Sequence, residues 1–384
     1  MTLAEQAAPA DGASAVRLRR LAIRNFRNLA HVELEAPPPG FVLVGANGMG
    51  KTNLLEAIYY LHLFRSMRGA RDSELVRFGA AGFHLTATVD GGPRDTVSVG
   101  FERSTGRKRI VLDGVESTRL SEALGAVPAV AFAPSDVAIV SGAPALRRRF
   151  LDVTLASTSR RYLATLQQYR TALAQRNAAL RSSDARNQAS VWEAPLAEHG
   201  AALRREREAW VEWARPRFAT LGAALGETEP LVLRYRSAVE GSPDGAGVTL
   251  RESLAATLAR QRERDIERGV THAGPHRDDL DLRLAAHGLR RYGSAGQQRT
   301  AAIALRLLER AWYREQLGRE PLVLLDDPLA ELDPDRARRV LGLLTSREAG
   351  QSVLAVPRGD DIPPAWTSLA RFRVRNGEVT PWAA

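Results

Sequence analysis

The sequence predicts an α/β fold, a core of mixed and antiparallel sheets interrupted by a mainly helical insertion. Three observations predict it. The apolar run Phe41-Val42-Leu43-Val44 leads into a glycine-rich turn, and then Asn53 to Ile58 carries apolar residues at helical spacing. A second apolar run, Pro321 to Leu325, ends in two carboxylates, Asp326 and Asp327. Between them, from Ala145 to Gly226, the pattern is helical, with Leu163, Leu166, Leu173 and Leu180 on one stripe and Leu196, Leu203 and Trp210 further on.

The elements follow in chain order. The first fifteen residues are small, polar and alanine-rich and read as a disordered tail, without the basic and apolar regions of a signal peptide. Val16 to Arg19 and His31 to Glu35 alternate as half-buried strands. The helix after the glycine turn runs to about Phe64, and Arg65 to Phe78 reads as a loop with a short helix. Phe83–Val89, Thr96–Arg103 and Arg107–Leu112 read as an antiparallel set, and a further apolar run, Val127 to Phe132, ends at Pro134. In the helical stretch, Pro195 and Pro216 are expected to interrupt the helices. A strand from Leu231 to Tyr235, a Gly/Pro/Ser loop and a charged helix from Leu250 to Arg268 come next. The expected division is a tail over 1–15, a discontinuous core over 16–144 and 269–384, and an inserted helical lobe over 145–268.

The glycine turn Gly45-Ala46-Asn47-Gly48-Met49-Gly50-Lys51-Thr52 has the P-loop spacing G-x-x-x-x-G-K-[ST]. Strand, turn and helix start together point backbone N–H groups into one concavity, with the positive end of the helix dipole behind it, and that geometry holds phosphates. Lys51 is expected to reach the β- and γ-phosphates, and the Thr52 hydroxyl to ligate Mg²⁺. Of 54 lysines and arginines only Lys51 and Lys108 are lysine, so a compact ammonium has been kept in this nest.

The acidic strand is expected beside the P-loop strand, with Asp326 completing the Mg²⁺ site and Asp327 positioning or polarising the attacking water. Ser294, Gly296 and Gln297 open another helix, in a Ser-x-Gly-Gln turn that offers a hydroxyl and free N–H groups to a phosphate. P-loop, signature turn, paired acids and the following Ala330-Glu331-Leu332-Asp333 occur in the order of ABC-type P-loop ATPases, which fits ATP as the nucleotide. In that class the signature serine contacts the γ-phosphate held by the opposite subunit, and two copies close around two ATPs.

Net charge is +10, and the excess is unevenly placed. Between Pro144 and Arg186 nine arginines stand against two aspartates, and Arg147, Arg148, Arg149, Arg160 and Arg161 are the candidate phosphate-backbone contacts. No apolar run reaches membrane-spanning length, which excludes an integral membrane subunit. The absence of cysteine excludes a disulfide framework and thiolate metal sites, and the cytoplasm is the expected compartment.

Several stretches together resemble the RecF family of bacterial DNA replication and repair proteins over nearly the whole chain after the tail. They are Leu21 to Asn28, the P-loop, Ser66 to Asp72, Ala133 to Asp136, Arg148 to Asp152, Thr271 to Leu280, Gly293 to Arg299 and Leu324 to Asp333. Gly274-Pro275-His276-Arg277-Asp278-Asp279 weighs most, because a generic ABC ATPase has no need of it. The resemblance implies a cytoplasmic ATPase with an SMC-like head and weak, DNA-stimulated turnover. It implies ATP-driven dimers at single-strand/double-strand gaps that help RecR and RecO load RecA, linked to the SOS response. His276, Arg277 and Asp278 read either as a structural ion-pair cluster or as part of the nucleotide or DNA site. One departure stands out: where the family carries a threonine-rich run, this chain has Val353-Leu354-Ala355-Val356-Pro357, so either hydrolysis is slow or the γ-phosphate sensor comes from elsewhere. The rival readings are a DNA-repair scaffold that binds ATP with little hydrolysis, and the ATPase subunit of another ABC system such as a transporter.

Overall fold

A computed structural model describes residues 15–239, 249–329, 332–344 and 350–382. The expected tail, apart from Ala15, lies outside them, as do most of the Gly/Pro/Ser loop and Ala330-Glu331. The chain divides into two compact units, residues 1–136 with 305–384 and residues 137–304.

The first unit holds two six-stranded sheets. Its strands before the second unit are β1 (Arg17–Phe26), β2 (Leu29–Glu35), β3 (Gly40–Val44), β4 (Gly82–Asp90), β5 (Thr96–Glu102), β6 (Lys108–Leu112), β7 (Val115–Ser117) and β8 (Ala129–Phe132). In the second unit come β9 (Leu231–Arg236), β10 (Asp279–Leu284) and β11 (His287–Gly288). The chain then adds β12 (Leu322–Asp326), β13 (Ser352–Val356), β14 (Ala370–Arg375) and β15 (Glu378–Pro381) to the first unit.

One sheet is antiparallel, in the order β2-β1-β4-β5-β6-β7. Its strands alternate buried and exposed residues, as a sheet with one wet face must. The other is mixed, in the order β15-β14-β3-β13-β12-β8, and β3 and β13 are buried at every position, the pattern of central parallel strands. The P-loop helix Lys51–Leu63 packs against strands of both sheets and is buried almost all round, which accounts for its apolar run Leu54 to Leu63. Tyr60 on this helix meets Phe26 and Phe83 edge-on at 6.0 and 5.5 Å, and Phe101 stacks on Phe83 at 5.7 Å.

The expectation that the acidic strand lies beside the P-loop strand is corrected. β13 runs between them, parallel to both, pairing Val356 with Val44 on one side and Ala355 with Asp326 on the other. Ser352–Val356 is buried throughout, which suits a central strand, but β3 is buried throughout and β12 at four of its five positions, so burial does not by itself set their order.

The second unit contains the helices Pro144–Ala156, Arg160–Ala179, Glu193–Ala224 and Leu250–Arg268, with the small sheet β11-β10-β9. Two expectations change here. Pro195 and Pro216 both lie within the single helix Glu193–Ala224. Pro195 is in the first turn, where its missing N–H has no intrahelical partner to lose. The helix continues through Pro216, flanked by buried Trp210, Ala214 and Phe218, so packing outweighs the lost hydrogen bond. The division also falls at 136/137 and 304/305, away from 144 and 268. Strand β10 pairs along its whole length with β9, and Arg147 is bonded to Asp279, which keeps residues 269–304 with the helices.

The Gly-Pro-His-Arg-Asp-Asp string is a packing hub of this unit. His276 Nε2 lies 3.0 Å from the Thr271 carbonyl, so Nδ1 accepts from the Tyr169 hydroxyl at 2.6 Å. Burial pushes this imidazole down to about 4, so it stays neutral. Arg277 donates to the Thr271 carbonyl, and Asp278 accepts from Tyr235 and from the Ala238 N–H at 2.6 and 2.7 Å. Gly274 has φ +128°, and a Cβ there would stand 2.5 Å from the Tyr169 hydroxyl. Of the two readings of this string, the geometry favours the structural one.

Candidate functional site: a phosphate cleft at the strand ends

The parallel strands β3, β13 and β12 end in register, so the P-loop and the two acids leave the sheet on the same side. Ligands of open α/β sheets bind at such carboxyl ends. A cleft of about 380 Å³ opens there, lined by Asn47, Gly48, Lys51, Thr52, Asp326 and Asp327, with Asn53, Arg68, Pro134 and Pro357 around them.

Two glycines of the loop are sterically required. A Cβ on Gly45 would meet the Val374 carbonyl oxygen at 2.3 Å, and Gly50 has φ +120° with the Asn28 amide 2.9 Å from its Cβ position. Asn28 Nδ2 and the Gly377 N–H both donate to the Met49 carbonyl, at 3.1 and 2.8 Å, and pin the back of the loop. The N–H groups of the first helical turn have no intrahelical acceptor and face the cleft end of the helix.

Lys51 is 7% exposed, and its ammonium donates to the carbonyls of Gly45 and Ala46. Burial lowers its pKa, against the raising influence of Asp326 and Asp327. The Thr52 hydroxyl donates to Asp326 at 3.0 Å, although 274 residues separate them. Burial pushes the Asp326 carboxyl above its ordinary value, opposed by Thr52 and Lys51, so a bound cation would relieve it. A hydroxyl and a half-buried carboxylate within hydrogen-bond reach suit Mg²⁺, which takes one or two protein oxygens and keeps the rest for water and phosphate. Asp327 turns out of the strand in the left-handed region at φ +47°, its N–H bonded to the Ala355 carbonyl at 3.0 Å.

The structure thus gathers Gly45 to Thr52 with Asp326 and Asp327. Ser294, Gly296 and Gln297 belong to the second unit and form a cap on the helix Ala295–Leu317. Ser294 Oγ accepts from the Gln297 N–H at 3.2 Å, while Gln297 Oε1 accepts from the Ser294 N–H at 2.9 Å. Ser294 is exposed, and its hydroxyl proton remains available to a ligand.

Residue reading missed Arg68, a second cation at the cleft. Its guanidinium bonds the buried Glu56 and reaches Asn53 Oδ1 at 2.6 Å, and Asn53 in turn donates to Asn28 at 2.8 Å. The chain Arg68–Asn53–Asn28 therefore ties one wall of the cleft to the P-loop. The Ser66 to Asp72 stretch marked the segment but carried no sign of these partners.

The basic segment needs correction. Arg147 is 3% exposed and makes a two-pronged pair with Asp279 at 2.8 and 2.9 Å, so it is not a surface cation. Arg176 is fully buried between Asp265 and Glu193. Arg148 is half-buried and bonds the Asp278 carbonyl, whereas Arg149, Arg160 and Arg161 are exposed. A charge count cannot tell a guanidinium neutralised inside a fold from one in solvent. Arg147→Ala should therefore cost about 3–5 kcal/mol of stability in urea unfolding, because Asp279 loses its two-pronged buried partner and keeps the longer contact to the exposed Arg236 at 3.7 Å. The salt dependence of DNA binding should not move; a flattened slope with wild-type stability would contradict this placement.

Residues 17–359 match the family described as RecF/RecN/SMC N terminal domain. DNA replication and repair protein RecF of Anaeromyxobacter sp. (strain Fw109-5) is 40% identical over 371 residues, spanning 95% of this chain and 99% of that protein. The chain belongs to the RecF family. The RecF of Myxococcus xanthus (strain DK1622) is 36% identical, covering 90% of this chain and 91% of that one. A solved structure of the recombination mediator protein RecF with ATP, of the RecFOR pathway, has a TM-score of 0.88 at 28% identity, covering 98% of this chain and 100% of that one. A solved Smc head bound to the C-winged helix domain of ScpA shares the fold, with a TM-score of 0.56 at 18% identity over 96% and 97% of the two chains.

Proposed function

We propose that this chain is an ATP-gated DNA-binding protein of recombinational repair and replication restart, with slow turnover. The observation that carries it is the closure of the cleft: Thr52 and Asp326 meet at 3.0 Å beside a buried Lys51, the donor set for a nucleotide triphosphate with Mg²⁺. The ATP-bound RecF structure supports the same nucleotide. Mg²⁺ would be held by Thr52 and Asp326 and would neutralise developing phosphate charge. Lys51 binds the β- and γ-phosphates, the P-loop N–H groups orient them, and Asp327 holds the attacking water. Pro357, at the end of β13, lines the cleft where a hydroxyl or imidazole would sense the γ-phosphate. That supports slow hydrolysis, and it keeps an ATP-binding scaffold as the second reading.

Ser294 completes the site of a second copy. A two-fold dimer then has two composite sites, each with one copy's Lys51 and the other's Ser294. ATP stabilises it because the γ-phosphate supplies the cross-subunit contact. The cycle serves DNA with single-strand/double-strand boundaries, in the cytoplasm, alongside RecR and RecO. Light scattering with ATP, ADP and no nucleotide tests the dimer. Ser294→Arg should bind ATP as a monomer yet fail to dimerise, and mixing it with Lys51→Ala should restore part of the dimer through the one intact site. ATP leaving wild-type mass unchanged over a wide concentration range would overturn closure in trans.

A further inference from the structure

The solvent face of the antiparallel sheet carries a row of two arginines and two imidazoles. The strand register lines up His31, Arg24, His84, Gly100 and Arg109 across β2, β1, β4, β5 and β6. All but the glycine are exposed, and none is a carboxylate. With strands about 4.8 Å apart the row is about 19 Å long. The next row on this face is small at its centre, with Ala22, Thr86 and Ser98, and its Glu33 is paired with Arg20 at 2.9 Å.

Gly82 and Gly100 leave an open trough of about 490 Å³ in the face, flanked by Arg24, Arg107 and Arg109, with Glu102 also on its lining. Arg109 and Arg107 share the exposed Glu116, at 2.8 and 3.8 Å, an exposed pairing that a phosphate can displace. Gly82 is forced, since its Cβ would lie 2.1 Å from the Phe101 carbonyl oxygen. Gly100 is not: its φ is not left-handed, and a Cβ would meet only His84 Nδ1 and the Phe83 carbonyl, at 3.3 and 3.9 Å. A strand glycine often marks a bulge, a bend or a close approach by a ligand or another backbone, and the register through Gly100 runs without a bulge. Asn25 and Ala81 line one end of the trough. The turn over residues 77–80 leads into Ala81 and is bonded to Asn25 through the Arg77 N–H, and it exposes 96% of Phe78. His84 presents a neutral ring at neutral pH, because burial and then the Arg24 charge lower its pKa.

We propose that this face binds single-stranded nucleic acid, with a base lying flat on the Gly82–Gly100 floor and the phosphates following Arg24 and Arg109. Cations set beside a flat floor and exposed rings suit planar bases on a charged backbone. An acidic peptide would feel the same charge, but the floor is open backbone where such a peptide needs an enclosed apolar pocket. The inference rests on the DNA reading above and places a contact that reading does not assign.

The test is fluorescence anisotropy of labelled oligo(dT) against the full-length protein with MgATP. Arg24→Ala with Arg109→Ala should weaken binding about tenfold and make the log–log salt slope shallower by about 1.4, two phosphate contacts at about 0.7 each. Gly100→Leu should weaken it to a similar degree with the slope unchanged, because no charge is lost. Ser98→Arg, beside the trough, should tighten binding, so the inference stays testable even if the leucine variant does not fold. MgATP affinity should hold in all three, since none of these residues lines the cleft. Variants that bind oligo(dT) like wild type would overturn this face while leaving the DNA reading intact. Wild-type protein that binds no DNA of any form would overturn both. Loss of a labelled Asp/Phe peptide on Gly100→Leu, with oligo(dT) binding unchanged, would make this a protein-docking face and overturn the nucleic-acid inference.

Discussion

Lys51→Ala is expected to bind MgATP about a hundredfold more weakly than wild type in titration calorimetry, with its unfolding free energy nearly unchanged. A hydrogen bond to a charged group contributes about 1.5–3 kcal/mol, and about 2.7 kcal/mol is a hundredfold in affinity. Among the described residues no carboxylate is hydrogen-bonded to Lys51; it donates to the Gly45 and Ala46 carbonyls, which water reaches through the open cleft once the side chain is gone. The fold therefore loses little. Arg68 remains at the cleft, but its guanidinium is engaged by Glu56 and Asn53 and does not replace an ammonium inside the loop. Lys51→Arg should fail as well, because a planar guanidinium does not fit where the side chain is 7% exposed. Wild-type affinity in either variant would overturn the phosphate cleft.

The two lysines show what could be read from the chain and what could not. Retention of lysine in an arginine-rich sequence pointed to Lys51, and the cleft agrees. The same logic applied to Lys108 but gave no location. Lys108 sits at the far end of the same helix, 2.6 Å from the Phe64 carbonyl, 2.7 Å from Asp72 and over the Tyr60 ring at 5.1 Å. Both ammonium groups fill close nests at opposite ends of one helix, a relation made by the Lys108 side chain reaching from β6 to the Phe64 carbonyl and invisible to local spacing.

Motif and strand patterns were legible because they are local. Period-two alternation gave the antiparallel set, and the P-loop spacing gave the cleft and Thr52. Strand order was not legible: any all-buried strand fits any central slot, so the place of β13 between β3 and β12 came only with the structure. Burial of arginines was equally hidden. Arg147 and Arg149 look alike in sequence, and only the return of Asp279 to the helix Pro144–Ala156 separates them.

Glu56 is the other position where a single atom exchange should have a large effect. It is fully buried on the P-loop helix, and its carboxylate accepts from Arg27 at 3.1 Å, from Arg68 at 3.1 Å and from Ser66 at 2.5 Å. Burial alone would raise its pKa, but the Arg68, Ser66 and Arg27 hydrogen bonds together hold it below the ordinary 4.5. Glu56→Gln keeps the shape and leaves two guanidiniums facing an amide, which should cost about 3–5 kcal/mol. The pH dependence has a definite sign. A carboxyl held low in the folded state contributes its full stabilisation above its unfolded value, and loses it as pH falls through the folded one. The gap between wild type and Glu56→Gln in urea unfolding should therefore be widest near neutrality and narrow steadily below about pH 4.5. A gap constant from pH 7 to pH 3 would mean that Glu56 acts through shape and not charge. The same variant frees Arg68 from its anchor, so MgATP affinity should fall at pH 7 even where the protein is fully folded. Unchanged affinity would show that Arg68 stands at the cleft without touching the nucleotide.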